Sequence, residues 1–151
     1  MRGYFKNRGT RLLIVPLAVL CCAAAAVGLA PAPILPDAMV WSSPPDNPAL
    51  HASWVLGAEA QPGPYLLRVR LAAGGRIAAH THPDVRNSTV LAGTLFIGFG
   101  DTFDATRVVA VPVGGVYVAP ANVAHYVWAR DGDVVYQESG TGPTGTTPTG
   151  R

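Results

Sequence analysis

Hydrophobic and polar side chains alternate along several short stretches of the chain. The stretch 65–71 shows this most plainly, since apolar residues occupy positions 67, 69 and 71 and arginines occupy positions 68 and 70. On an extended backbone, alternate side chains leave on opposite faces, so a period of two predicts a strand with one buried face. We expect this strand to end at the turn Gly74-Gly75.

Further stretches of the same character follow, each bounded by turn-forming glycine, proline, asparagine or aspartate. They cover residues 88–91, 94–99, 107–111, 116–118, 124–129 and 134–138. No segment after residue 30 sustains a helical period. Many short strands at this spacing predict an all-β domain, a jelly-roll sandwich or barrel, over residues 63–140.

The segments on either side of this domain have a different composition. Six prolines fall between residues 31 and 48, too many for a helix or an interior strand, so 31–62 is predicted to be a proline-rich linker or N-terminal arm. Residues 141–151 are mostly glycine, threonine and proline and are predicted to form a flexible tail.

Residues 1–30 resemble a targeting segment. Four basic residues up to Arg11 precede an uncharged apolar stretch, Leu12 to Ala30, that ends in small residues. This order predicts a secretory signal peptide. Because the stretch is also close to the length of a membrane-spanning helix, a retained N-terminal anchor stays open as the alternative. Either interpretation places the domain outside the cytoplasm, periplasmic or secreted, with membrane contact only through a retained segment.

Charge and cysteine content narrow the function classes. Four of the eleven Lys and Arg residues precede residue 12, so residues 31–151 carry seven basic and nine acidic side chains, a formal charge of −2. Without a basic surface, nucleic-acid binding is not expected. Both cysteines, Cys21 and Cys22, lie in the apolar stretch, so the domain itself has neither a disulfide nor a thiolate ligand.

Three histidines are the candidate metal ligands. His80 and His82 would leave one face of a strand about 7 Å apart along the chain. An isolated His-x-His pair before a proline is also typical of a polar loop. His125, which follows a Pro-Ala-Asn turn, favours the metal interpretation, because a third imidazole could close three sides of a site.

At these residues the chain resembles the cupin superfamily, whose motifs are G(X)5HXH(X)3-4E(X)6G and G(X)5PXG(X)2H(X)3N. The positions that match in type and spacing are Gly74, His80, His82 and Gly93 in the first motif and Gly114, Pro120 and His125 in the second. The resemblance covers roughly residues 65–142. It implies a conical cupin-type jelly-roll barrel, with His80, His82 and His125 facing its interior as ligands of a divalent transition metal: Fe, Mn, Zn, Ni or Cu. Dimers are common in this family, so the resemblance also implies a homodimer.

The chain departs from the family pattern at three positions. Arg86 stands where the first motif has its glutamate ligand, and a guanidinium cannot ligate a metal. Asn122 replaces a glycine, which asparagine can do because it tolerates positive φ. Ala129 stands at the final Asn of the second motif. We therefore carry over the three histidines and no carboxylate.

Arg86 and Glu138 are the candidate catalytic residues. Arg86 either points inward and pairs with a substrate anion or points to solvent beside a degraded metal site. Glu138 either faces the interior, where it could supply the missing carboxylate as ligand or general base, or is exposed at a strand end. Asp84 and Asn87 lie close enough in sequence to act as oxygen ligands or as partners of the ligands, although we favour solvated turn residues.

These features lead to one functional hypothesis with an alternative. The first is a secreted or periplasmic cupin that binds a divalent transition metal and acts on a small, anionic molecule; whether it is an enzyme, of dioxygenase or isomerase type, stays open because the motif glutamate is missing. The alternative is a non-catalytic module that binds a small ligand or metal at a degraded site. A barrel with vestigial histidines is the third interpretation, because such barrels host many unrelated functions.

Overall fold

The computed structural model describes residues 32–149, which form ten β-strands preceded by one turn of 3-10 helix at Pro36–Ala38. The strands are β1 (Leu50–Leu56), β2 (Gly63–Leu71), β3 (Arg76–Thr81), β4 (Arg86–Ala92), β5 (Thr94–Phe99), β6 (Val109–Pro112), β7 (Val116–Ala119), β8 (His125–Trp128), β9 (Val134–Gly142) and β10 (Thr147–Pro148). The all-β prediction is confirmed.

The strands form two five-stranded antiparallel sheets. The first has the order β1-β2-β9-β4-β7 and the second has the order β10-β3-β8-β5-β6. Strands that are distant along the chain are therefore neighbours in space, as in a jelly roll. Two features of this order position the functional site. Strand β3 pairs with β8, and β9 lies between β2 and β4.

The hydrophobic core contains apolar side chains from both sheets. The predicted face of β2 is buried, with Leu67, Val69 and Leu71 between 1 and 8% exposed. Further core members come from β4, β5, β8 and β9, including Val90, Leu95, Ile97, Val127 and Tyr136. The period of two is clearest in β2, β4 and β9, where alternate side chains are buried in this shared core.

Strand pairing extends beyond the predicted domain, residues 63–140, on both sides. Of the two descriptions of residues 31–62, linker or N-terminal arm, the arm agrees better with β1, which lies within this segment and pairs with β2 from Leu50 opposite Leu71 onward. The 141–151 segment is not a flexible tail over the residues described, because β9 continues to Gly142 and β10 pairs with β3. In both segments main-chain pairing to a neighbouring strand supplies the order that composition did not indicate.

The predicted signal segment, residues 1–30, lies outside the described residues. Within residues 32–149, no helix is both long enough and apolar enough to cross a membrane.

Candidate metal centre

Strand pairing brings the three predicted histidines together. His80 on β3 lies directly opposite His125 on β8, and directly opposed residues of antiparallel strands have adjacent side chains. His82 follows the end of β3 by one residue. The ring centroids are 4.7 Å apart for His80 and His82, 4.4 Å for His80 and His125, and 5.2 Å for His82 and His125. The convergence expected from the motif spacing is therefore observed.

The turn before β8 helps to set this arrangement. Asn122 has φ +61°, the left-handed conformation expected for a residue that replaces the motif glycine. In this conformation its backbone N–H donates to the His82 carbonyl at 2.7 Å. The turn that leads to His125 is thus tied to the main chain of His82.

Each imidazole is held through its Nδ1 atom. Nδ1 of His80 lies 2.7 Å from the Ala78 carbonyl, and Nδ1 of His125 lies 3.2 Å from the Val123 carbonyl. Nδ1 of His82 lies 2.7 Å from the Gly145 carbonyl. Because a carbonyl oxygen only accepts, each Nδ1 carries the hydrogen and each neutral ring keeps its lone pair on Nε2.

Burial keeps the rings neutral. It lowers the pKa of His80 below its ordinary value, that of His82 to about 3 and that of His125 to about 4. The positive charge of Arg86 also lowers all three pKa values, whereas the hydrogen bonds to backbone carbonyls raise them by less than burial lowers them. Near neutral pH the cluster therefore presents three unprotonated nitrogens, the form that binds a metal.

This donor set fits a transition metal. One ligand nitrogen from each histidine can be chosen so that all three lie within 4.8 Å of one another. Nε2 of His82 is buried and has no hydrogen-bond partner among residues 32–149. A buried nitrogen without a partner is unfavourable in an apolar surrounding, and a metal ion would satisfy it. Three imidazoles with their other nitrogens bonded to carbonyls are a frequent arrangement around zinc and related metals.

Arg86 and Glu138 form a buried ion pair beside the histidines. Both side chains face the interior, at 4% and 5% exposure, and Nη1 of Arg86 donates to Oε2 of Glu138 at 2.7 Å. Arg86 is thus not directed to solvent, and its charge is met by Glu138. Burial raises the pKa of Glu138 above its ordinary value, although the Arg86 charge and hydrogen bond pull it down. Because the two side chains are paired with each other, Glu138 is not an unpaired base and Arg86 is not an unpaired anion-binding group.

A network of polar contacts surrounds this pair. Tyr65 donates to Asp84 at 2.6 Å, Thr144 donates to the other oxygen of Asp84, and Nη2 of Arg86 donates to the Thr144 hydroxyl at 2.9 Å. The Asp84 side chain is only 10% exposed, so Asp84 is not a solvated turn residue; its contacts agree with the alternative, a polar partner beside the site, whereas Asn87 is exposed. Thr144 carried no signal in the sequence, because its role comes entirely from contacts with distant strands.

A cavity of about 280 Å³ adjoins the site. Its polar lining residues include His80, His82, Arg86, Glu138, Glu59 and Thr146, and its apolar lining residues include Leu50, Ala52, Trp54, Leu67, Val69 and Ile77. A small, mostly apolar cavity with a few converging polar groups is typical of a small-molecule site.

Comparison with known proteins agrees with the sheet topology and the motifs. No protein-family model matches the chain. Germin-like protein 3-1 from Oryza sativa subsp. japonica is 33% identical over 76 residues, which are 50% of this chain and 33% of the rice protein. The match therefore spans only about a third of the length of this relative.

Many solved structures share the fold, and two of them illustrate it. The polyketide cyclase RemF from Streptomyces resistomycificus has a TM-score of 0.66 at 11% identity, covering 79% of this chain and 85% of RemF. An RmlC-like cupin from Shewanella frigidimarina has a TM-score of 0.58 at 11% identity, covering 72% and 87% of the two chains.

The architecture is therefore a cupin-type β-barrel with a buried cluster of three histidines. In its fold, and in the order of the two motifs that it carries, the chain is similar to cupins.

Proposed function

We propose that this protein binds a divalent transition metal through Nε2 of His80, His82 and His125, and that the bound metal faces the adjoining cavity. The proposal rests on the hydrogen bonding of the three rings. Each Nδ1 is bonded to a backbone carbonyl, which leaves Nε2 for a metal, and Nε2 of His82 is buried without a partner among residues 32–149. Imidazole suits zinc, copper, iron and nickel, whereas manganese prefers oxygen ligands, so the first four are the metals to test first.

The charge of the site supports a small anionic ligand. When bound, the metal would supply a Lewis-acid centre of two positive charges, since neutral imidazoles cancel none of its charge. Arg86 adds little to this attraction because Glu138 neutralises it. The apolar residues Trp54, Leu67 and Val69, which also line the cavity, would exclude water and contact the ligand's carbon atoms.

A non-catalytic binding module is the second candidate function, and one observation favours it. Glu138 and Glu59 are the acidic residues that line the cavity. Glu138 is held by Arg86 and Glu59 is exposed, so neither is placed as a buried free base. A binder would show saturable stabilisation by ligand without turnover, whereas an enzyme would release product.

Metal analysis tests the proposal. The full chain, kept soluble in mild detergent because of its apolar N-terminal segment, is stripped with chelator, reloaded with one metal at a time and analysed for metal content. We expect about one equivalent per chain, lost in His80→Ala and His125→Ala. His51→Ala is the matched control, since His51 is exposed and bonds Ser43 instead of joining the cluster. Equal metal content in all four proteins would refute the proposal.

We also propose that the protein acts outside the cytoplasm. The proposal rests on the basic start and the apolar stretch of residues 1–30. Cell fractionation with N-terminal sequencing of the recovered protein tests it. A new N-terminus near residue 30 indicates cleavage, an intact one in the membrane fraction indicates an anchor, and recovery from the cytoplasm refutes both.

A further inference from the structure

Residues 143–149, which we call the C-terminal strap, return to the histidine cluster after β9. Thr147 and Pro148 in β10 pair with Thr81 and His80 of β3. Between β9 and β10, the carbonyl of Gly145 accepts the hydrogen bond from Nδ1 of His82 at 2.7 Å. The strap therefore contacts the proposed metal site through its main chain.

The three histidines differ in where their carbonyl partners come from. His80 and His125 each bond the carbonyl two residues earlier, so each bond is made within its own stretch of chain. The partner of His82 lies 63 residues later, in the strap. Removing the strap would leave the bonds of His80 and His125 in place and deprive only His82 of its Nδ1 acceptor.

The strap is itself held by the residue that replaces the family's glutamate ligand. Nη2 of Arg86 donates to the Thr144 hydroxyl at 2.9 Å and lies 3.5 Å from the Gly145 carbonyl oxygen. Thr144 in turn donates to Asp84, and Glu138 fixes Arg86 from the other side. A continuous set of contacts thus runs from the Arg86 and Glu138 pair through the strap to the ring of His82.

We infer that the C-terminal strap is part of the metal site: it fixes the orientation and the Nδ1–H tautomer of His82, and Arg86 and Thr144 are positioning residues that act through it. This inference rests on the proposed metal binding. Partners that orient ligating histidines typically change metal affinity by about 10- to 100-fold when they are lost, and we expect a weakening of that order here.

The first test reads the tautomers directly, without metal. Long-range 1H–15N NMR spectra of the histidine rings are compared for the full chain and for a chain ending at Gly142. We expect all three rings to carry hydrogen on Nδ1 in the full chain and only His82 to lose this preference in the shortened chain. Unchanged signals of His80 and His125 show that the barrel has kept its fold. A His82 signal that is also unchanged would overturn the inference.

Substitutions in the full-length chain keep the test valid if the shortened chain does not fold. Thr144→Val preserves volume but removes the hydroxyl that Arg86 and Asp84 contact, whereas Thr144→Ser keeps it. We expect the valine variant to weaken the Nδ1–H signal of His82 and the serine variant to restore it. Equal spectra for the two variants would remove Thr144 from the set of positioning residues.

The second test measures Zn²⁺ affinity by competition with a chromogenic chelator, as a double-mutant cycle. Removal of residues 143–151 should weaken binding by about 10-fold or more in the wild-type background and in the His51→Ala background, which keeps all three ligands. In the His82→Ala background the same removal should change affinity by less than about 2-fold, because the ring on which the strap acts is gone. A similar loss in all three backgrounds would show a general structural effect and overturn the inference.

The outcomes separate the two claims. If the full chain binds no metal, the proposed function fails, and the tautomer spectra still decide whether the strap holds His82. If the full chain binds Zn²⁺ and His82→Ala weakens binding while strap removal does not, metal binding stands and the inference is refuted.

Discussion

Replacing Arg86 by methionine should destabilise the protein in a pH-dependent way. The change removes the guanidinium that meets the buried carboxylate of Glu138 at 2.7 Å and keeps a side chain of similar length. Breaking a buried ion pair by removing one partner costs about 3–5 kcal/mol. Loss of the hydrogen bond to Thr144 places Arg86→Met in the upper half of that range at pH 8.

The pH dependence follows from Glu138. Burial already raises the pKa of this carboxyl above its ordinary value, and Arg86 lowers it, so without Arg86 the pKa rises further. A carboxyl whose pKa is higher in the folded state takes up a proton on folding. The Arg86→Met variant therefore loses about 1.4 kcal/mol of stability per pH unit as the pH rises from the pKa of Glu138 in the unfolded chain towards its pKa in the folded protein. Arg86→Met should be closer to wild type at pH 5 than at pH 8.

Urea unfolding followed by tryptophan fluorescence at pH 5, 6.5 and 8, with metal removed, measures both effects. The double variant Arg86→Met/Glu138→Leu removes both charges, so its loss should be smaller than the sum of the single losses by about 2 kcal/mol or more. Asp131→Asn, which breaks the exposed pair with Arg130, is the control and should leave stability unchanged. Additive single losses with no pH dependence would show that the buried pair does not exist in solution.

Three further predictions concern the barrel and the metal-free site. Gly98→Ala places a methyl group against the buried ring of Tyr126 on the neighbouring strand and should lower the free energy of unfolding in urea by about 1–3 kcal/mol. Gly145→Ala is the control and should be neutral, because its Cβ has no neighbour closer than 3.9 Å. Equal effects of the two substitutions would contradict the packing described. Because the pKa values of His82 (about 3) and His125 (about 4) are lowered by burial, the unfolded chain takes up more protons below about pH 6.5. The metal-free protein should therefore lose stability as pH falls from about 6.5 towards 4, and His125→Ala should flatten that dependence in pH-scanned thermal unfolding. Zn²⁺ at about 100 times its Kd should stabilise the full chain by about 2.7 kcal/mol at neutral pH, and a melting temperature that does not respond to Zn²⁺ would count against metal binding.

Much of the fold and the centre of the site could be predicted from local sequence. The period of two along 65–71 identifies a strand with one buried face, since the side-chain period of a strand is fixed by its backbone. The same period places His80 and His82 on one face of a strand, and the Pro-Ala-Asn sequence before His125 indicates a turn. Asn122 indicated positive φ at a turn, which is what its backbone adopts at +61°.

Only the tertiary structure decided how Arg86, Glu138 and the C-terminal strap act. The partner of Arg86 is 52 residues away on β9, and the carbonyl that fixes His82 is 63 residues away, so no local pattern records either contact. Composition indicated a flexible tail because glycine, threonine and proline bury little apolar surface. The strap is nevertheless ordered by main-chain pairing and by polar contacts, which depend on the strands that folding brings beside it rather than on the hydrophobic pattern of the segment itself.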